Sequence, residues 1–165
     1  MNLHEPQARA GMEEGSLSMS ISKVIENRRK IVAWLLVALW AVVIFAMSAK
    51  SGLELDTGQG IVSIAKRWLA DVLSRIAGRA VDPSPVGHFV EYLVFGALLV
   101  NALRLSFAPG GAALAASGIA AVYAATDEFH QMFVPGRACD VADWLVDVSA
   151  VALVAGIWWL VKRRD

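Results

Sequence analysis

A chain of 165 residues is long enough for one domain, and 57% of its side chains are hydrophobic, more than a soluble domain carries. Its basic and acidic side chains cancel, which argues against nucleic acid as the main partner. The single cysteine, Cys139, excludes an internal disulfide and any cysteine-rich metal motif.

In chain order, residues 1–27 are polar and lack an apolar stripe. They are expected to form a disordered cytoplasmic tail ahead of one membrane domain over residues 28–165. Arg28-Arg29-Lys30 abuts Ile31–Ala49, an uncharged apolar run with the length of a spanning helix. A cleaved leader is the weaker reading, because the polar segment before it is long and three apolar segments follow. Next, Ile61, Ile64, Trp68, Leu69, Val72, Leu73 and Ile76 recur at three and four residues, with Lys66, Arg67, Asp71 and Arg75 on the other face. This helix is too charged to span. Its place is flat on the bilayer surface or packed on its own domain.

Asp82-Pro83-Ser84-Pro85 breaks the chain and positions a second span, Val86–Phe107. Pro109-Gly110-Gly111 turns it into a third, Ala112–Thr126, whose Ala, Gly and Ser permit close helix packing and which continues into a polar motif. After Pro135-Gly136 comes a fourth span, Asp143–Val161, ended by Trp158-Trp159 and Lys162-Arg163-Arg164. The expected fold is all-α: a polytopic membrane protein with four transmembrane helices plus one interfacial amphipathic helix.

Four spans put both termini on one side, together with Arg28-Arg29-Lys30, Arg104 and Lys162-Arg163-Arg164. The positive-inside rule makes that side cytoplasmic, in an inner (plasma) membrane. Lys50, Lys66, Arg67, Arg75 and Arg79 moderate the bias, although four of them lie in or beside the surface helix, where they meet lipid head groups.

The densest polar stretch, "ATDEFHQMFVPGRACDVADWLVD" over residues 125–147, then falls at the outer face. His88 and Glu91, at i and i+3 on the second span, share that side, and Tyr92 and Phe95 continue their face inward. Asp140, Asp143 and Asp147 form one stripe. Asp147 lies about 5 Å deeper than Asp143 and must face a partner or water, because a bare carboxylate at that depth costs roughly 3 kcal/mol. Arg137 follows a fixed Pro-Gly turn that aims it at the helices, where a guanidinium can bridge two carboxylates.

A structural reading has these charges only fixing which helices pack together. Against it, acids outnumber cations and two histidines, His88 and His130, come with them. The excess acid invites a divalent cation, with His88, Glu91, Glu128, His130 and Asp143 as candidate ligands, although no familiar metal spacing is present. Ser84 and Thr126 lack the setting of a catalytic nucleophile. Acid–base chemistry by Glu91, Asp127 or Glu128 stays open.

Residues 88–99, "HFVEYLVFGALL", residues 126–143, "TDEFHQMFVPGRACDVAD", and "FAMSAKSG" at 45–52 resemble the VanZ-like membrane proteins. The resemblance marks His88, Glu91, Tyr92, Asp127, Glu128, His130, Gln131, Pro135, Gly136, Arg137, Asp140 and Asp143. This chain has Pro85 where the family often has lysine, and Asp147 and Ala150 where asparagine and glycine often stand, so its site is the more acidic. The family takes its name from a member associated with teicoplanin resistance. The resemblance and the polar cluster together suggest a pocket for the head group of an envelope lipid or lipid-linked cell-wall precursor. Membrane lipids are then the expected partners, with a glycopeptide or a second copy in an oligomer as further ones. A membrane enzyme on such a lipid, a small proton-coupled transporter and a structural scaffold are the rivals.

Overall fold

Prolines and aspartates set where the helices begin. The computed structural model describes residues 5–51 and 57–164, with side chains from Ser18 onward except Val62. Among these residues there is no strand. The helices are α1 (Glu5–Ser48), α2 (Ile61–Ala77), α3 (Ser84–Leu103), α4 (Pro109–Gln131) and α5 (Val141–Lys162). Pro85 and Pro109 occupy the first turns of α3 and α4, where a missing N–H costs nothing. Asp140 caps α5, its carboxylate accepting from the Ala142 N–H at 2.7 Å.

Three helices are long and apolar enough to cross a membrane: α1 over Ser18–Ser48, α3 and α5. The expected third span, α4, is equally long, but its many alanines and glycines make it less apolar. The fold differs from expectation at the N-terminus. The segment read as a disordered tail is helical from Glu5 onward, while residues 1–4 lie outside the described residues. Pro6 falls in the first turn, no further proline comes before Pro83, and extending an existing helix orders only one residue per hydrogen bond.

The core is built from small residues on interface stripes. On α4, Ala112, Ala116, Ala120 and Ala124 recur every fourth residue and are all fully buried. On α5, Ala150, Val151 and Ala155 are buried, and α5 packs against both α4 and α3. A Cβ on Gly96 of α3 would lie 3.0 Å from the Val151 Cα, so the two backbones approach as closely as glycine permits. Tyr92, Phe95 and Leu99 fill the wider part of the bundle, and α1 adds Ala33, Val37 and Ile44. Side chains also reach across to backbone carbonyls. Trp40 Nε1 donates to Glu91 at 2.9 Å, Tyr123 Oη to Ala41 at 2.6 Å and Trp144 Nε1 to Ala121 at 3.0 Å.

Arg28-Arg29, about midway along α1, meets the end of α3 at Asn101 and Arg104, around one groove. Trp159, beside Lys162 and Arg163, meets the start of α4. The basic ends are therefore gathered, as read from the sequence, and the polar cluster lies at the opposite ends of the same helices. α2 has little contact with the other four. Ile61, Ile64, Trp68 and Ile76 on its apolar stripe are exposed, and Leu69, Val72 and Leu73 are half-buried.

Candidate functional site

Each of the four packed helices carries its buried stripe into polar residues at the same end. On α1 the stripe Ala33, Val37, Ile44 ends in Ser48. On α3 it begins with His88, one turn before Tyr92. On α4 the alanine stripe runs on into Asp127, Glu128 and Gln131. On α5 it begins with Asp147, one turn before Ala150 and Val151. Because the stripes converge in the core, their polar ends converge too. Asp147 is completely buried and Asp127 and Glu128 are each only 3% exposed.

His88 is the hub. Its Nδ1 lies 3.3 Å from Asp147 Oδ1, so the deep carboxylate faces a partner, as its position required. Its Nε2 lies 3.4 Å from Arg137 Nη2 and 3.9 Å from Asp143 Oδ2. Asp127 Oδ2 accepts from Gln131 Nε2 at 3.1 Å, and Glu128 Oε2 accepts from the Asp140 N–H at 2.7 Å. Arg137 points back at the helices, launched by Gly136 at φ 75°, a left-handed conformation that favours glycine. Its guanidinium does not bridge two carboxylates, however. Nε and Nη2 both donate to Gln131 Oε1, at 3.1 and 2.8 Å.

Two adjoining cavities open beside this cluster. The deeper, of about 210 Å³, is lined by polar His88, Glu91, Asp127, Lys66 and Arg137 and by apolar Met47, Ala65 and Leu69 among others. The outer, of about 420 Å³, is lined by Lys66, Arg67, Asp82, Gln131, Arg137, Asp140 and Asp143 among others. Burial raises the Asp82 carboxyl, but the Ser84 N–H and Oγ–H, at 2.9 and 2.8 Å, outweigh it and hold Asp82 below its usual range. α2 closes both cavities on one side, so Lys66 and Leu69 belong to the site. Sequence periodicity placed them on a surface helix, and nothing in their spacing ties them to a pocket.

The structure thus brings His88, Glu91, Asp127, Glu128, Gln131, Arg137, Asp140 and Asp143 to one place, and adds Ser48 and Asp147. It sets two expected residues apart. Tyr92 is fully buried below the cavity, against Phe95 and Tyr123. His130 turns to α1 and stacks on Phe45, with ring centroids 4.3 Å apart, because it lies about 100° round α4 from Gln131. The expected metal set changes accordingly. Among the described residues, the grouping close enough to share an ion is His88, Asp127 and Glu128, without His130, Glu91 or Asp143.

A family model described as VanZ/LLP1 matches residues 33–162, which span the apolar part of α1 to the end of α5 and include every residue of the cluster. No curated protein and no solved structure matches the chain.

Proposed function

Because the chain belongs to the VanZ/LLP1 family, we propose that this helical membrane protein binds the head group of an envelope lipid or lipid-linked cell-wall precursor. The observation that carries the proposal is the mixed lining of the deep cavity: polar His88, Glu91, Asp127 and Arg137 together with apolar Met47, Ala65 and Leu69. Such a cavity suits a molecule that is polar at one end and apolar at the other. Arg137 grips a phosphate or carboxylate, the acids orient the remaining hydroxyls or amines, and the chain of the ligand leaves past α2. In this reading α4 is a fourth crossing, since it runs the length of α5 with its polar end in the same cluster. α2 lies at the interface with Ile61, Trp68 and Ile76 toward lipid. The gathered arginines of the other end face the cytoplasm together with both termini, and the cluster faces out. A role in glycopeptide (teicoplanin) resistance or envelope homeostasis would follow from capture of such a ligand.

Thermal unfolding of the purified protein in detergent, with defined lipids added one at a time, tests this. Lipids of one head-group class should raise the unfolding temperature, and Glu91→Gln should diminish that rise. Equal shifts for every head group, in both proteins, would remove the reading.

One observation favours an enzyme. Glu91 lines the cavity beside His88 and Asp127. A group so placed can move a proton on a bound lipid. Glu91→Gln would then abolish turnover while lipid retention persists.

A further inference from the structure

We propose that His88, Asp127 and Glu128 bind a divalent cation at the floor of the pocket. All three are more than nine-tenths buried, at 8%, 3% and 3% exposure, and each offers a ligand atom within 4.8 Å of the others. What distinguishes them from a cluster of acids is how their remaining atoms are used. Glu128 gives Oε2 to the Asp140 N–H and keeps Oε1 buried without a hydrogen-bond partner. Asp127 gives Oδ2 to Gln131 and keeps Oδ1 in the same condition. His88 turns Nδ1 to the Asp147 carboxylate at 3.3 Å. Glu128 and Asp127 are therefore each held by one oxygen and keep the other buried without a partner, while His88, turned by Nδ1 to Asp147, presents Nε2, which lies 3.4 Å from Arg137 Nη2. Metal ligands are oriented in this way by their outer partners, histidine by a carboxylate above all.

The tautomer agrees. An N–H of Arg137 points at His88 Nε2 from 3.4 Å, and an arginine nitrogen can only donate. The tautomer with its proton on Nδ1, facing Asp147, leaves Nε2 its lone pair, which a cation would take in place of the Arg137 contact. This is the neutral imidazole a cation requires. Charge agrees too. Asp127, Glu128 and Asp147 are buried together, and Arg137 spends its short hydrogen bonds on Gln131. A divalent cation would offset that excess acid. One imidazole with two carboxylates suits Zn²⁺ or Mn²⁺.

The inference rests on the pocket reading above and deepens it. His88 and Asp127 also line the deep cavity, so a phosphate entering it would meet the ion. The test uses the full chain in detergent, treated with chelator, desalted, and loaded with Zn²⁺ or Mn²⁺ alone. Elemental analysis gives the metal retained, and thermal unfolding gives its effect. Wild type should retain stoichiometric metal and unfold at a higher temperature with it. Glu128→Gln and Asp127→Asn should each weaken binding by tenfold or more, and Asp147→Asn, which acts only through His88, by about tenfold. Folded wild type that retains neither ion, or variants that retain as much as wild type, would overturn the proposal. Lipid retention by the same chelated protein keeps the two readings separable. Metal bound without selective lipid removes the head-group reading alone, and selective lipid without metal removes the ion alone.

Discussion

Gln131 is only 1% exposed, and its amide joins the two halves of the cluster, accepting from Arg137 through Oε1 and donating to Asp127 through Nε2. Arg137→Ala would leave Oε1 buried with no donor, a loss of about 1–3 kcal/mol. Arg137→Lys should recover only part of it, because an ammonium lacks the fork that places two N–H groups on one oxygen. Thermal unfolding of both variants checks the order. Asp147 gives a second residue-scale prediction. Asp147→Leu strands His88 Nδ1 in the core and should cost about 1–3 kcal/mol, whereas Asp147→Asn can still accept from Nδ1–H and should fold. Equal losses in the two would count against the His88–Asp147 contact. At this scale the cluster was largely legible. Charged residues on otherwise apolar helices have few places to go, so His88, Asp127, Glu128 and Arg137 were bound to meet. His130 misled because nearness in sequence is not nearness round a helix. Arg137 misled because a surplus of acids says nothing of which acceptor lies within its reach.

The elements explain why the polar residues lie where they do. α4 continues unbroken from its alanine stripe to Gln131, so the rule that buries Ala120 and Ala124 also buries Asp127 and Glu128. The expectation that this helix runs on from its small residues into the polar motif holds. The sequence could not announce the length of α1, because residues 5–27 have no stripe of their own and their helix is a continuation of the one after it. Nor could it show that α2 walls the cavities, since an amphipathic helix reads alike wherever it lies. The tightest element contact makes its own prediction. Gly96→Ala would place a methyl 3.0 Å from the Val151 Cα and 3.2 Å from its Cγ1, forcing α3 and α5 apart at a cost of about 1–3 kcal/mol. Gly118→Ala, where a Cβ meets nothing within 4 Å, should leave the unfolding temperature nearly unchanged. Similar losses at both positions would contradict the packing described.

Across the described residues, the buried carboxylates gather at one end of the bundle and Arg28, Arg29 and Arg104 at the other. Arg28, Arg29 and Arg104 share a groove, while the carboxylates converge at the far ends of the same helices. A wide exposed apolar surface runs between them, including Leu35, Leu39 and Val42 on α1 and Leu153 and Ile157 on α5. This is how a chain can keep its charge and still cross a bilayer. Cys139, exposed between α4 and α5, reports the orientation directly. In intact cells a membrane-impermeant maleimide should label Cys139, whereas a cysteine at Arg164 in a Cys139→Ser background should react only after permeabilisation. The reverse pattern would turn the protein over and place the pocket on the cytoplasmic side.

The central claim is that these polar ends form a ligand pocket rather than a clamp between helices. Native mass spectrometry of wild type and Arg137→Ala, purified in detergent and recorded where both are folded, tests it most directly. Wild type should retain lipid of one head-group class, and Arg137→Ala should lose it. Wild type carrying no lipid, or the same unselective lipid as the variant, would contradict it and leave the cluster as a device for holding helices together.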